Sequence, residues 1–591
     1  HRDLHSFPTR RSSDLRAAEL FACIGVAVCT GWYMRWPRTR GVVIGALAAG
    51  AVAVLVWGVG QEILSLPELR ADPDIAKWIE GVDRQEFLDR LNALEVFGPF
   101  TISNAMAAAC IALAFPFGLA ALLAGRKRTR VVFAVIAVAA LAALLLTRSK
   151  GGFLAFGFAA CVAGAMYAVQ RGMAMRKALL GVALAVLIGA SALALLVSYG
   201  PPASGRASAE VRAGYYAGAI SAVADNPIQG QGPGLFADVY TFNKPGWAGE
   251  TRHVHNDYLE VAVESGIPGM LLLIAGLLLA LSTFAWKSPV EEEPDDSPSS
   301  PEHRNWSTAG RAGFMSALLS WLAITLGVTL FGVCDIDNIL SHARDGKYAW
   351  HALLVFTLVL PPVSAWFVAR AVSDDASALK PLVAGAVVGV AGFAVHSLID
   401  FNLFNENAAL VLFAVLGIVR WPSRSVGRGW ATAALLMSLL SALLFVGSGV
   451  LAEGRNTATT VDDLAVMASS GATNLTEEDR SFLLQVLSSV EPARFDPPEL
   501  YWSRGMLAGK LVEANPDFAK VAIINLGAAV KLNPARYSFW RDYARALAKG
   551  GETEEALKAM SRALELYPSS SDLQKAYYSL LPLEPPQPGG D

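Results

Sequence analysis

Charged residues are scarce in this chain. Asp, Glu, Lys and Arg make up 17% of its 591 residues, whereas soluble domains carry about 25%. The formal net charge is only −3, so the basic excess of a nucleic-acid-binding protein is missing. The composition is therefore not that of an ordinary soluble domain, and we predict no nucleic-acid partner.

Cysteine is also rare, and its spacing excludes two kinds of site. The chain has five cysteines, and no two of them form a Cys-x-x-Cys pair. A disulfide framework and a zinc site are therefore both unsupported. We predict neither a metal nor a cofactor.

Long apolar runs are what the sequence does contain. Segments 131–146, 178–197 and 270–284 carry no charge, and about 20 apolar residues in a helix cross a membrane. Because the runs are continuous rather than alternating, they indicate helices and not barrel strands. We predict an all-α, polytopic transmembrane helix bundle of about twelve spans. The predicted spans are 17–34, 41–60, 99–124, 131–147, 152–169, 178–198, 258–286, 312–333, 348–369, 381–398, 407–419 and the last, 430–451.

Five segments follow from this pattern. The first fifteen residues lack an initiator Met and an apolar core, so we expect them to be non-native and further spans to precede residue 16 in the natural protein. The segments are 1–15, the N-terminal spans 16–198, a large loop 199–257, the C-terminal spans 258–451 and a tail 452–591.

Basic residues predict the orientation of the bundle. Arg and Lys concentrate after odd-numbered spans, as in GRKRTR at 125–130, and short basic loops face the cytoplasm. The loop 199–257 and the tail are then both expected to be periplasmic.

The tail contains a repeat. LGAAVKLNP at 526–534 and MSRALELYP at 560–568 lie 34 residues apart, the tetratricopeptide period. We predict an extracytoplasmic tail with such repeats over about 500–568, which binds a protein partner or leans on 452–500, because two units are fewer than a stable array needs.

The loop 199–257 carries the polar residues that could do chemistry. GQGPG at 230–234 predicts a tight turn, although it lacks the GK[ST] of a P-loop. Arg252, His253, His255 and Asp257 then gather at the start of a span, which is costly unless they serve a site there.

Arg212, Tyr216 and Pro227 precede the glycine-rich stretch GQGPGLF at 230–236, and His255-Asn256 precedes a YLxxxxExGxxG helix. These patterns resemble loop motifs of the O-antigen ligase and O-antigen polymerase family. SKGG at 149–152 is similar to the family's S-R-G-G, with Lys150 in place of Arg. FGPFTISNAMAAA (97–109) and HSLIDFNL (396–403) also resemble family segments.

The resemblance implies a glycosyltransferase of the bacterial inner membrane. It implies transfer of a glycan from undecaprenyl diphosphate to an acceptor hydroxyl at the periplasmic face, by an inverting reaction without metal. The acceptor, whether lipid, polysaccharide or protein, stays open. A transporter or flippase for lipid-linked glycans and a scaffold that recruits partners are the alternatives.

Chemistry assigns roles to these residues. His255 is the predicted general base, since imidazole exchanges protons near neutral pH. Arg212 and Lys150 supply the positive charge that a diphosphate needs. Further predicted substrate-binding residues are Arg148, Arg206, Arg252, Asn256 and Tyr216. His396 and Asp400, one helical turn apart, are expected to form a structural pair.

Overall fold

The computed structural model describes residues 23–71, 95–184, 206–282, 348–419 and 498–581, with short gaps inside these ranges, and a few isolated positions elsewhere. All regular structure in these ranges is helical, which confirms the all-α prediction. Seven of the described helices are long and apolar enough to cross a membrane.

The membrane part and its loop contain eleven described α-helices of eight residues or more, besides a short one at Leu66–Ala71. They are α1 (Cys23–Met34), α2 (Pro37–Gly60), α3 (Ser103–Leu123), α4 (Lys127–Leu146), α5 (Lys150–Gln170), α6 (Arg206–Asp225), α7 (Phe236–Asn243), α8 (Asp257–Ser282), α9 (Tyr348–Asp374), α10 (Leu379–His396) and α11 (Glu406–Val419).

Seven predicted spans coincide with helices of spanning length, and two, at α1 and α11, with shorter apolar helices. The predicted spans 178–198, 312–333 and 430–451 lie largely or wholly outside the described residues. The total of twelve therefore stays a prediction.

Helix α3 forms the centre of the bundle and packs against α4 and α10. Small residues bring α3 and α10 together: a Cβ on Gly385 would collide with the Phe115 carbonyl, and one on Gly389 would lie 2.7 Å from the Ala112 oxygen. Such close approach is typical of membrane helices, which gain little from hydrophobic burial against each other. The two helices run antiparallel, so the start of α3 lies beside the end of α10.

Two further helices begin at that same end. A Cβ on Gly151, in the first turn of α5, would lie 2.7 Å from the Ile399 side chain. At the start of α8, Asp257 N donates to the Ser397 carbonyl at 2.9 Å. The opposite end of the bundle carries the basic loop, where Arg126 N donates to Asp375 Oδ2 at 2.7 Å.

The glycine-rich turn closes the loop onto α8. Helix α8 is interrupted at Gly266, where φ is 73°, and the freed carbonyls of Val263 and Glu264 accept from Gln231 N (2.7 Å) and Gly232 N (2.9 Å). A Cβ on Gly230 would lie 2.5 Å from the Glu264 backbone. Glycine is needed there because φ is positive and two backbones touch.

The tail forms a helical repeat. Its described helices are α12 (Pro498–Leu511), α13 (Asp517–Leu532), α14 (Tyr537–Lys549), α15 (Thr553–Leu566) and α16 (Ser571–Leu580). Leu487, from the preceding segment, is buried in the core that α12 and α13 share, and Asn525 Nδ2 donates to its carbonyl at 2.9 Å. The repeat thus packs on residues before 498.

Candidate active site

His255 and Asp400 form the centre of the polar cluster at the end of the bundle where α3, α5 and α8 begin. His255 Nδ1 lies 3.2 Å from Asp400 Oδ1. The Asp400 side chain is buried, whereas that of His255 is partly open to solvent. A buried carboxylate that accepts from Nδ1–H leaves Nε2 as the unprotonated nitrogen.

Asp400 is held by a chain of hydrogen bonds that reaches the start of α5. Asn104 Nδ2 donates to Asp400 Oδ2, and Phe401 N donates to Oδ1 at 3.0 Å. Ser149 Oγ donates to Asn104 Oδ1 at 2.6 Å and caps α5 by accepting from Gly152 N at 3.0 Å. The first turns of α3 and α5 therefore fix the carboxylate.

Positive neighbours keep Asp400 ionised. Burial raises the pKa of Asp400, but the hydrogen bond from His255 and the charges of His255, His396 and Arg212 outweigh it, so the pKa lies below its ordinary value. Arg212 Nη2 is 3.9 Å from Asp400 Oδ2. The cluster thus joins a fixed negative charge, a guanidinium and an imidazole.

The backbone of His255 adopts a strained conformation. In the described part of the chain, the non-glycine residues with positive φ are His255 (58°) and Arg148 (52°), and such residues concentrate at functional sites. Tyr216 Oη donates to the His255 carbonyl at 3.0 Å. Burial raises the pKa of Tyr216, so this phenol stays a donor.

Glu260 and Asn256 hold the residues on either side of His255. The buried Glu260 carboxylate contacts His253 Nδ1 at 2.7 Å and accepts from Val254 N at 3.0 Å. Asn256 Oδ1 accepts from Leu259 N at 3.0 Å at the start of α8. Asn256, predicted to bind substrate, therefore uses its amide oxygen to cap a helix.

Aromatic rings enclose the imidazole. Tyr215 stacks on His255 with ring centroids 5.8 Å apart, and Phe401 meets it edge-on at 4.8 Å. Phe401 also stacks on His253 at 4.2 Å. These contacts fix the plane of the His255 ring.

The predicted cations occupy different positions. Lys150 is exposed in the first turn of α5 and has no hydrogen bond or ion pair with a described residue. Arg148 forms an ion pair with Glu62 at 2.7 Å, and Arg252 is exposed. Arg206 begins α6, but its side chain lies outside the described part. Arg212 is the predicted cation that contacts the His255–Asp400 pair directly.

His396 and Asp400 interact electrostatically, as the expected structural pair would, but their hydrogen bonds go to other residues. His396 is buried and shares a hydrogen bond with Asn402 (Nδ1 to Nδ2, 2.9 Å), whereas Asp400 bonds to His255 and Asn104. Reasoning from sequence treated Asp400 as a structural partner of His396 and did not single out Asn104, so it missed the role of both residues beside His255. Their signal was present, since both lie in segments that resemble the family, HSLIDFNL and FGPFTISNAMAAA.

Comparison with known families agrees with this location. Residues 135–274 match the family model described as O-Antigen ligase. The match confirms the resemblance and includes Lys150, Arg212 and His255. Residues 538–580 match a tetratricopeptide repeat model, which confirms a repeat of that type in the tail. No curated protein and no solved structure matches the chain.

Proposed function

We propose that this multi-pass membrane protein is an O-antigen ligase-type glycosyltransferase. It transfers a glycan from undecaprenyl diphosphate to an acceptor hydroxyl at the periplasmic face of the bacterial inner membrane. The observation that carries the proposal is the His255–Asp400 pair beside Arg212, with His255 and Arg212 inside the segment that matches the O-antigen ligase model.

In the proposed reaction, the acceptor hydroxyl attacks the anomeric carbon of the donor sugar from the side opposite the diphosphate. A carbon–oxygen bond to the acceptor forms as the bond between the anomeric carbon and the phosphate oxygen breaks, so the configuration inverts. His255 Nε2 accepts the hydroxyl proton, while Asp400 holds Nδ1–H and stabilises the imidazolium that results.

The diphosphate leaves with more negative charge than it carries in the donor. Arg212 and Lys150 neutralise that charge, and their interaction strengthens as the bond breaks. The first turn of α5, capped by Ser149, adds backbone N–H groups and the positive end of a helix dipole. This scheme uses side chains and backbone N–H groups of the chain itself and calls on no metal.

The location of the polar residues favours surface chemistry over transport. A transporter for lipid-linked glycans would place polar groups and interrupted helices near the middle of the membrane. The cluster around Asp400 instead lies where described helices begin or end, and a scaffold would not require it.

Purified full-length protein, supplied with a lipid-diphosphate oligosaccharide and candidate acceptors, tests the proposal. We expect a glycosylated acceptor with inverted linkage and released lipid diphosphate. Movement of intact donor across a vesicle membrane, with no bond cleaved, would show a transporter instead.

Membrane orientation has its own test. Reporters fused after Asp591 and near Asn243 should both give a periplasmic signal, as the basic loops predict. A cytoplasmic signal near Asn243 would remove the loop from the face where the donor is proposed to bind.

A further inference from the structure

Among the described residues, a lysine of the loop contacts two tyrosines of the tail. The Lys244 ammonium lies 3.3 Å from the centroid of the Tyr567 ring and 5.8 Å from that of Tyr537. The two rings meet at 71° with centroids 5.0 Å apart. Two aromatic faces at nearly a right angle around an ammonium form an aromatic cage, the arrangement in which cation–π attraction is strong.

Each partner of this contact ends or begins a helix. Tyr537 starts α14, Tyr567 follows the last residue of α15, and Lys244 follows the last residue of α7. The carbonyl end of α15 carries partial negative charge, which also favours a cation. The amino end of α14 at Tyr537 offsets this effect, so the ring geometry is what favours Lys244.

Lys244 is connected to the aromatic shell of the polar cluster. The backbone N–H of Lys244 donates to the Tyr240 carbonyl at 2.8 Å. The buried Tyr240 ring meets the Tyr215 ring edge-on, with centroids 5.9 Å apart. Tyr215 stacks on His255. Helix α6 comes close to Lys244 because residue 218 is glycine, where a Cβ would lie 3.1 Å from Lys244 Cα.

We propose that the partner of the repeat tail is this chain's own loop, with the Tyr537–Tyr567 cage docking on Lys244. Docking fixes the end of α7 and thereby braces the aromatic residues behind His255. The tail is then an internal support of the loop. This inference rests on contacts alone and does not depend on glycosyl transfer.

Hydrogen exchange on the intact chain tests the docking: the tail is mutated, and the exchange rates of backbone amides in the loop are measured. Tyr567→Ala should speed exchange of the amides of 236–248 about fivefold or more, since a cation–aromatic contact of this kind shifts a docked population about 5- to 30-fold. Tyr567→Phe keeps the aromatic face and should leave exchange unchanged. The matched control is Tyr578→Ala, which removes an exposed tyrosine of α16 and should have no effect on the loop.

A second experiment changes the loop and measures exchange in the tail. It is needed if Tyr567→Ala unfolds the tail, which would appear as loss of protection from hydrogen exchange over 540–566. Lys244→Ala should then speed exchange at the end of α15, whereas Lys244→Arg, which keeps the cation, should not. Unchanged loop exchange in a folded Tyr567→Ala protein, or unchanged exchange at the end of α15 in Lys244→Ala, would overturn the proposal. An equal effect of Tyr578→Ala on the loop would also overturn it.

Discussion

Nδ1 of His255 lies 3.2 Å from Oδ1 of Asp400, although 145 positions separate the two residues in the chain. The carboxylate that orients this imidazole follows α10, and the imidazole itself precedes α8. Hydrogen bonds tie the start of α8 to the segment after α10: Asp257 N donates to the Ser397 carbonyl at 2.9 Å, and Leu403 N donates to Asp257 Oδ1 at 3.0 Å. The pair is therefore a product of the bundle rather than of a local motif.

Asp400→Asn should lower turnover about 10²- to 10⁴-fold, because an amide keeps the shape but no longer fixes the tautomer or stabilises the imidazolium. Donor affinity should change little. The measurement is kcat together with a donor-binding assay. Asp375→Asn is the matched control: this aspartate also binds backbone N–H groups, but at the other end of the bundle. A similar fall in turnover for both variants would point to a general loss of structure.

The pH dependence separates Asp400 from His255. The pKa of Asp400 is lower in the folded protein than its ordinary value. Its ionisation therefore stabilises the fold fully above about pH 3.9 and is lost as pH falls below that through the folded pKa. Protonation of Asp400 therefore does not account for a loss of activity between neutrality and about pH 5. A general base must be unprotonated to act, so a histidine base predicts that kcat falls as the pH is lowered.

Rates and thermal unfolding measured across the same pH range test this separation. The rate should fall while the unfolding temperature stays nearly constant. A rate that stays flat until the protein unfolds would contradict a histidine base.

Arg212 and Lys150 should differ in their tolerance of substitution. Arg212→Ala should reduce kcat about 10- to 100-fold, since hydrogen bonds to charged groups contribute about 1.5–3 kcal/mol. Arg212→Lys should recover part of the loss, because the charge remains but the bidentate fork is gone. Lys150→Arg should be tolerated, as the resembling family motif has Arg there. Steady-state kinetics on the wild type and these three variants test the predicted order of kcat. Full activity in Arg212→Ala would exclude Arg212 from the site.

The sequence predicted what depends on local pattern. Continuous apolar runs located the described spans, and the motifs located His255, Arg212 and Tyr216, which the structure brings together. The sequence did not reveal Asp400 as the partner of His255. Spacing along the chain suggested His396 as the partner of Asp400, but His396 bonds to Asn402 instead. Contacts between distant segments, such as that of Lys244 with Tyr567, leave no periodic signal in either segment.

Two glycines of α8 should respond oppositely to alanine. Gly266 has positive φ, and a Cβ there would collide with the Ile228 carbonyl, so Gly266→Ala should destabilise the protein by about 1–3 kcal/mol or more. Gly276 lies in open space on the same helix, where alanine should be neutral or stabilise by up to about 1 kcal/mol. Thermal unfolding in detergent measures both. Equal stability of the two variants would show that the turn at 230–234 does not need the break in α8.

The decisive measurement on the proposed general base is His255→Ala, assayed for donor binding and for transfer in the same preparation. We predict that the variant binds lipid-diphosphate glycan like the wild type but transfers it about 10²- to 10⁴-fold more slowly, because a general base acts only in the chemical step. Loss of donor binding, with the wild-type pH profile retained in whatever activity remains, would contradict it and make His255 a binding or structural residue.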